Sequence, residues 1–217
     1  MNPAKHILFL VPGFPKDEND YHSIPPLQEF LKKFLSKFSS IKISVITFQY
    51  PYHKNQYLWK NINVIPLSGK NSIVKKPFIW LEVIHHAKII NSSTRVDVIH
   101  SLWLGECALI GNYLSKKFNC KHICTLMGQD VKSSNKYLNW LKNSKTRFIA
   151  LSKNQAEQFF RLTKKRVDGL IHWGIENQKI NVQNRDIDLL GVGSLIPLKN
   201  YYLFIKAVEK KLKICQL

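Results

Sequence analysis

Short apolar runs alternate with longer amphipathic segments along most of this chain. The runs predict strands at 5–11, 41–48, 62–66, 96–100, 121–126, 146–151 and 167–171. The amphipathic segments predict helices from Ser23 to about residue 38, from Pro77 onward, and at 104–117, 133–142 and 153–163; the polar, aromatic residues 50–61 are predicted as a loop. Apolar runs of this kind are typical of parallel strands buried on both faces, and the crossover between two parallel strands is usually a helix. The alternation therefore predicts an α/β fold with a doubly wound, Rossmann-like parallel sheet.

Residues 187–208 begin the same pattern again. An apolar run is followed by a glycine-containing turn, by Lys199 and by an amphipathic helix, and the sequence stops soon afterwards at Leu217. One strand and one helix cannot close a core. We therefore expect a Rossmann-like domain at 1–182, followed at 183–217 by a linker and the start of an incomplete second Rossmann-like domain.

The charge is strongly positive. Lysine and arginine number 33 against 14 acidic residues, which gives a net charge of +19 and a pI near 9.8. Such a surplus attracts polyanions, although the abundant Lys, Asn and Ile also fit an AT-rich genome, which we take as the larger contributor. No nucleic-acid recognition motif is present, so no nucleic-acid partner is expected. Contact with an anionic membrane is favoured over nucleic acid, through the apolar cluster 78–80 beside Lys75 and Lys76.

The sequence lacks cysteine-based metal motifs, a signal peptide and a membrane-spanning stretch, and these observations are the basis for predicting its metal content and its compartment. The four cysteines form no CxxC pair and have no histidine at zinc-ligand spacing, so no metal is predicted and a reducing compartment is expected. A signal peptide is not visible, and no apolar stretch is long enough to span a bilayer. The prediction is a cytoplasmic protein, with a peripheral position at the inner face of the membrane left open.

Candidate site residues follow the predicted strands, because ligands of open parallel sheets bind beyond the carboxyl ends of the strands. The long loop after the first strand contains Gly13, Asp17 and His22, and it lacks the GxGxxG fingerprint of dinucleotide sites. His100 and Trp103 follow the strand at 96–100, and the indole either stacks on a sugar ring or packs in the core.

Two further groups of residues carry chemistry. Asp130 follows the strand at 121–126, where it serves either as a catalytic group or as the cap of the helix near 133. Near residue 190, glycines and a lysine at a helix start suit a diphosphate, because backbone donors, helix dipole and a point charge converge there. The residues of this second group are Gly193, Ser194, Lys199 and Asn200.

Four segments together resemble the family 4 glycosyltransferases of the GT-B fold. They are VPGFPKDENDYHSIPPLQEF; VDVIHSLW; ICTLMGQDVKSSNKYLNWL with RFIALSKNQAEQF; and IHWGIE with LLGVGSLIPLKNYYLFIKAVEK. Their order and spacing span nearly the whole chain. The resemblance implies an N-terminal acceptor domain facing a C-terminal domain that holds a nucleotide-sugar, with metal-independent transfer that retains anomeric configuration.

The resemblance also assigns roles. Gly13 falls in the loop that meets the donor phosphates and the acceptor, and Lys199 matches the lysine on the donor diphosphate. Gly193 precedes the usual arginine, which is Ser194 here, so one phosphate contact is missing. Many members carry a histidine where this chain has Met127. The expected catalytic residues are then Asp130 and His100; the expected donor-phosphate residues are Gly13, Gly193, Ser194, Lys199 and Asn200; the expected acceptor residues are Asp17, His22 and Trp103.

The predicted function is transfer of a sugar from a nucleotide-sugar to a glycan or lipid-linked acceptor in cell-surface polysaccharide or lipopolysaccharide synthesis, without a cofactor. Because the glutamate pair that grips the donor in this family should lie beyond residue 217, a truncated chain with weak or no activity is expected. The alternative is a non-catalytic remnant that binds a glycan or a membrane surface.

Overall fold

The computed structural model describes residues 5–174, 187, 189–193 and 195–214, with only the backbone at 198 and 211–214. The chain divides into two compact units, residues 1–176 and 177–217. The predicted domain boundary after residue 182 lies outside the described residues. Each unit is considered separately below.

The first unit is built on one eight-stranded sheet. Its strands are β1 (His6–Gly13), β2 (Lys42–Tyr50), β3 (Tyr57–Trp59), β4 (Ile62–Pro66), β5 (Val98–Leu102), β6 (Lys121–Thr125), β7 (Arg147–Ala150) and β8 (Gly169–Leu170). The spatial order is β3-β4-β2-β1-β5-β6-β7-β8. Every neighbouring pair is parallel except β3 and β4, which are antiparallel. The sheet therefore reverses its winding direction between β1 and β5.

Five helices connect these strands. They are α1 (Pro25–Lys37), α2 (Lys76–Ser93), α3 (Glu106–Phe118), α4 (Lys136–Leu141) and α5 (Lys153–Thr163). Right-handed crossovers place α1 on one face of the sheet and α2 to α5 on the other, because the chain first moves outward from β1 to β2 and later moves the opposite way from β5 to β8. Leu27 and Leu31 of α1 accordingly pack on Phe9 and Val11, whereas α2 and α3 pack on the opposite side chains of β1.

The predicted strands and helices of the first unit are confirmed, apart from small shifts at their ends and one missed strand. Residues 50–61, predicted as a loop, contain β3 in a hairpin with β4. The hairpin turns at Lys60 and Asn61, which both have positive φ. A type of turn that favours glycine is made here without glycine, so the usual sequence signal for a hairpin is missing.

The described part of the second unit is small and exposed. A single 3₁₀ turn (Pro197–Lys199) precedes α6 (Tyr201–Ile214), so the predicted helix is confirmed. The predicted strand is not: residues 187 and 189–193 have no strand structure. No described side chain between residues 187 and 210 is buried. Within the described residues of the whole chain, none of the helices combines the length and apolar character required to cross a membrane.

Candidate functional site

The loop between β1 and α1, residues 14–24, is organised by Asp20. This buried carboxylate accepts hydrogen bonds from the hydroxyls of Ser23 (2.8 Å) and Tyr50 (3.0 Å) and from the backbone N–H of Lys16 (3.1 Å). Its second oxygen accepts from the N–H groups of His22 and Ser23. Burial opposes the charged form, but these donors outweigh it and lower the pKa of Asp20. Asp20 therefore remains an ionised anchor at the centre of the loop.

The β3–β4 hairpin also contacts loop 14–24, through a hydrogen bond and an ion pair. The Tyr57 hydroxyl donates to the carbonyl of Pro15, and burial raises the pKa of Tyr57. An ion pair of 2.6 Å joins Lys60 Nζ to Glu18. The loop is thus a preformed structure at the carboxyl edge of the sheet, where the sequence predicted a ligand site.

The three site residues predicted here, Gly13, Asp17 and His22, have different surroundings in the structure. Gly13 ends β1 beside Tyr50, and an added Cβ would make only ordinary contacts, the nearest at 3.6 Å. Asp17 is exposed and accepts the N–H of Asn19 at 2.8 Å in a local turn. His22 is also exposed. These side chains are available to a ligand, while Asp20, which sequence reasoning left out of the site, determines the shape of the loop.

Beside this loop, an apolar groove of about 680 Å³ lies between α1 and the face of β5, β6 and β7. We call it the α1 groove. It exists because α1 is the only described helix of the first unit on this face, so the outward side chains of β6 and β7 have no helix over them. Its lining includes Phe30, Ile123, Ile149, Leu151, Ile171, His172 and Trp173. Trp173 and Gly174, which follow β8, also line the groove.

His100 forms part of the floor of this groove. The sequence placed it after a strand, but β5 runs to Leu102, so His100 lies inside the strand. Its Nε2 is 2.8 Å from the hydroxyl of Thr125, and its ring packs 4.9 Å from that of Phe9. Loss of hydration lowers the pKa of His100 to about 4. The imidazole is therefore neutral at physiological pH, with one ring nitrogen as a hydrogen-bond donor and the other as an acceptor.

Asp130 ties together the two loops that follow β5 and β6. Its Oδ2 accepts the N–H groups of Leu104 (2.7 Å) and Met127 (2.6 Å). Burial raises its pKa to about 6, against the effect of these two donors. The predicted helix-cap role is wrong, because Asn135 caps α4 by accepting the N–H of Tyr137. The catalytic role stays a prediction; the contacts show a carboxylate that positions the loops.

Trp103 follows β5 with a φ of 68°. A bulky residue in this left-handed region is strained, and such strain is concentrated at functional sites. Its N–H donates to the carbonyl of Thr125 at 3.1 Å. Its indole is half-buried against the cluster around Phe9, which Trp173 also contacts. The indole therefore packs, with part of its surface still exposed to a ligand.

The second unit brings two of the predicted donor-phosphate residues together. An added Cβ on Gly193, which has a φ of 154°, would lie 3.6 Å from Cε of Lys199. The carbonyl of Gly193 accepts the hydroxyl of Tyr201 at 3.1 Å. Asn200, with a φ of 48°, separates the 3₁₀ turn from α6. Ser194 lies outside the described residues.

Metal-ligating side chains do not cluster in the described residues: no group of three or more His, Cys, Asp or Glu is close enough to hold an ion. The described cysteines are free thiols, and burial raises the pKa of Cys120 to about 11. The prediction that no metal is required stays a prediction.

Known proteins resemble this chain in structure. No protein-family model and no curated protein matches it. A solved structure of sucrose-phosphate synthase from Thermosynechococcus elongatus matches with a TM-score of 0.54 and 16% identity, over 77% of this chain and 89% of that one. A UDP-N-acetylglucosamine 2-epimerase matches with a TM-score of 0.50 and 12% identity, over 77% of this chain. The chain covers 48% of the epimerase.

The fold is α/β and Rossmann-like. Both neighbours share this fold over 77% of the chain, which confirms the predicted α/β, Rossmann-like fold class for the parallel sheet. At this level of identity the similarity concerns the fold alone, and function has to be argued from the site.

Proposed function

We propose that this chain belongs to a nucleotide-sugar-dependent glycosyltransferase of the GT-B type, in the lineage of the family 4 enzymes. The first unit binds the acceptor, and the second unit contributes contacts to the diphosphate of the donor. The observation that carries the proposal is the preformed loop 14–24 beside the α1 groove, at the carboxyl edge of a sheet with this fold. The names of the two structural neighbours point the same way, since one includes a UDP-sugar and the other a sugar phosphate.

The acceptor is expected to occupy the edge of the first unit. Asp17 and His22 are exposed there, and a carboxylate and an imidazole suit the hydroxyl groups of a sugar. Trp103 presents part of its indole for stacking on a sugar ring. The apolar α1 groove suits a less polar part of the same acceptor. We propose His100, whose imidazole is neutral, and Asp130, whose carboxylate positions two loops, as the polar side chains next to the bound acceptor.

Donor binding is expected to depend on Lys199. Its side chain passes close to Gly193 and carries a point charge, and α6 begins two residues later. A diphosphate placed here would be stabilised by the charge and by the positive end of the helix dipole. Asn200 and Ser194 complete the proposed phosphate contacts.

Thermal unfolding with a panel of UDP-, GDP- and ADP-sugars tests this proposal. A ligand that binds only the native state raises the unfolding midpoint by mass action. We expect one nucleotide class to raise it, and Lys199→Ala to abolish the shift. Lys210→Ala, a neutralisation on the exposed surface of α6, should leave the shift intact. Equal shifts in both variants, or a cooperative transition that no nucleotide-sugar moves, would contradict the donor assignment.

A second candidate is a glycan-binding protein without chemistry. The absence of buried side chains among the described residues 187–210 favours it, because a donor site needs a rigid support. A titration with acceptor glycans, monitored by tryptophan fluorescence, distinguishes the two candidate functions. Glycan binding without any effect of nucleotide-sugars indicates the second function; glycan-dependent release of free nucleotide indicates the first.

A further inference from the structure

Four large apolar side chains are exposed within nine residues at the carboxyl edge of β4. Ile73 and Val74 are 80% and 81% exposed, and Phe78 and Leu81, on the first turns of α2, are 66% and 65% exposed. Isolated exposed hydrophobic residues are ordinary, whereas a contiguous group of this size marks an interaction surface. We call this region, with Lys70, Lys75 and Lys76, the 70–81 surface.

Side-chain hydrogen bonds hold the loop and the helix that form this surface. The side-chain carbonyl of Gln49 accepts the N–H of Asn71 at 2.8 Å, and its amide donates to Glu106. The other oxygen of Glu106 accepts the indole N–H of Trp80 at 3.0 Å. Glu106 thus fastens both the loop and the helix that carry the exposed residues. Trp80, which the sequence grouped with the exposed cluster, faces inward.

The charged side chains of the 70–81 surface are all positive. Residues 70–81 contain three lysines and no acidic residue. Two carboxylates lie next to this segment: Glu82 pairs with Lys54 at 2.7 Å, and Glu106 accepts the hydrogen bonds of Gln49 and Trp80. The N-terminus of α2 has no side-chain cap and no acidic residue in its first turn, so the positive end of its dipole adds to the lysines. An anion-bearing partner with an apolar interior complements this combination.

We propose that the 70–81 surface docks on an anionic phospholipid bilayer. Ile73, Val74, Phe78 and Leu81 enter the boundary between headgroups and acyl chains, while the lysines remain at the level of the phosphates. A bilayer offers both an anionic surface and an apolar interior, which match the lysines and the exposed apolar side chains of this surface. The inference goes beyond the proposed function and does not rest on it.

The geometry has a consequence for the acceptor. Loop 14–24 follows β1 at the same edge of the sheet, so docking brings the proposed acceptor site to the membrane surface. If the proposed transferase function also holds, a lipid-linked acceptor is favoured over a free glycan. Membrane binding is measured without turnover, so failure of one proposal is distinguishable from failure of the other.

Co-sedimentation of the full chain with phosphatidylcholine vesicles, with and without phosphatidylglycerol, tests the docking. We expect binding to the anionic vesicles, and loss of most of it in Ile73→Ser/Val74→Ser/Phe78→Ser. Neutralising Lys75 and Lys76 to glutamine should weaken binding by roughly 25-fold, at about fivefold per lysine. Salt should weaken the lysine contribution but not abolish the apolar one.

Matched variants separate a local surface from the general positive charge. Lys116→Gln/Lys117→Gln removes the same charge from the end of α3 at the opposite edge of the sheet, and Ile89→Ser removes an exposed apolar residue near the far end of α2. Both should bind like the parent chain. Equal losses in the matched variants, unchanged binding of the triple serine variant, or no binding to anionic vesicles would each overturn the proposal. Circular dichroism establishes that every variant is folded.

Discussion

At the scale of single residues, Asp20 and Asp17 show how differently two neighbouring carboxylates can act. Asp20 accepts five hydrogen bonds within loop 14–24 and from Tyr50, whereas Asp17 accepts one from Asn19. From the sequence, Asp17, and not Asp20, was assigned to the acceptor site. Only the folded chain brings the Tyr50 hydroxyl to Asp20, from 30 residues away.

Replacing Asp20 with alanine should lower the free energy of unfolding by about 2–3 kcal/mol, because hydrogen bonds to a buried charged group are lost. Urea unfolding measures the change. Since the pKa of Asp20 is lowered in the native state, its stabilisation is present above the ordinary aspartate pKa and fades as the pH falls below about 4. Asp17→Ala is the control, with an expected loss below about 1 kcal/mol. Similar losses in both variants would contradict the anchoring role of Asp20.

Asp130 should make stability depend on pH in the opposite direction. Its pKa of about 6 in the native state lies above the ordinary value of 3.8, so the native state takes up this proton more readily than the unfolded chain. Lowering the pH from about 7 to about 4 should therefore stabilise the fold through this group, by up to about 3 kcal/mol.

Asp130→Asn keeps an oxygen for the N–H groups of Leu104 and Met127 and removes the charge. It should be more stable than the parent near pH 8 and similar near pH 4, as measured by urea unfolding across this range. An unchanged difference at every pH would show that Asp130 does not titrate there. A folded Asp130→Asn chain that loses only turnover would support the catalytic role predicted from the sequence.

At the scale of elements, α3 packs closely on the sheet through Gly111. A Cβ at this position would lie 2.3 Å from Oγ of Ser101 and 2.5 Å from Nε2 of His122. These two buried atoms are 2.9 Å apart, and the other ring nitrogen of His122 is 2.8 Å from the hydroxyl of Thr146. Burial lowers the pKa of His122 to about 3, so this network is neutral and structural.

Gly111→Ala should therefore destabilise the chain by about 1–3 kcal/mol, although alanine is the better helix former. Gly13→Ala is the matched control in the same unit, because its Cβ finds ordinary contact distances, and its stability should change by less than about 1 kcal/mol. Thermal unfolding compares the two. If Gly13→Ala keeps its stability but no longer responds to a nucleotide-sugar, a close backbone approach by the donor is indicated.

The elements themselves were largely predictable. Periodicity is a local property, and it gave the order and type of the helices and the parallel strands. The predicted helix at 153–163, for example, is α5, and Ser152 caps it by accepting the N–H of Gln155. The β3 hairpin was missed because its turn uses Lys60 and Asn61 in place of glycine. The described residues 187 and 189–193 have no strand structure, although the sequence predicts a strand there, because an apolar run forms a strand only where another strand pairs with it.

At the scale of the whole molecule, the net charge of +19 should oppose compactness through repulsion. Salt screens this repulsion, so we expect the unfolding midpoint to rise by a few degrees between about 20 mM and about 0.5 M NaCl. Calorimetry with sodium chloride measures it. A midpoint that falls over this range would mean that attractive pairs such as Lys60–Glu18 outweigh the repulsion.

The sequence by itself determined the α/β class, the order of the elements and the positive charge, because these depend on composition and on spacing along the chain. It also placed the candidate site at the carboxyl edge of the sheet. The tertiary structure alone decided which carboxylate anchors loop 14–24, that Asp130 joins two loops, and that one sheet face beside α1 remains open as a groove. Those features depend on contacts between residues far apart in sequence, and on the handedness of crossovers that placed four of the described helices of the first unit on one face of its sheet and one on the other.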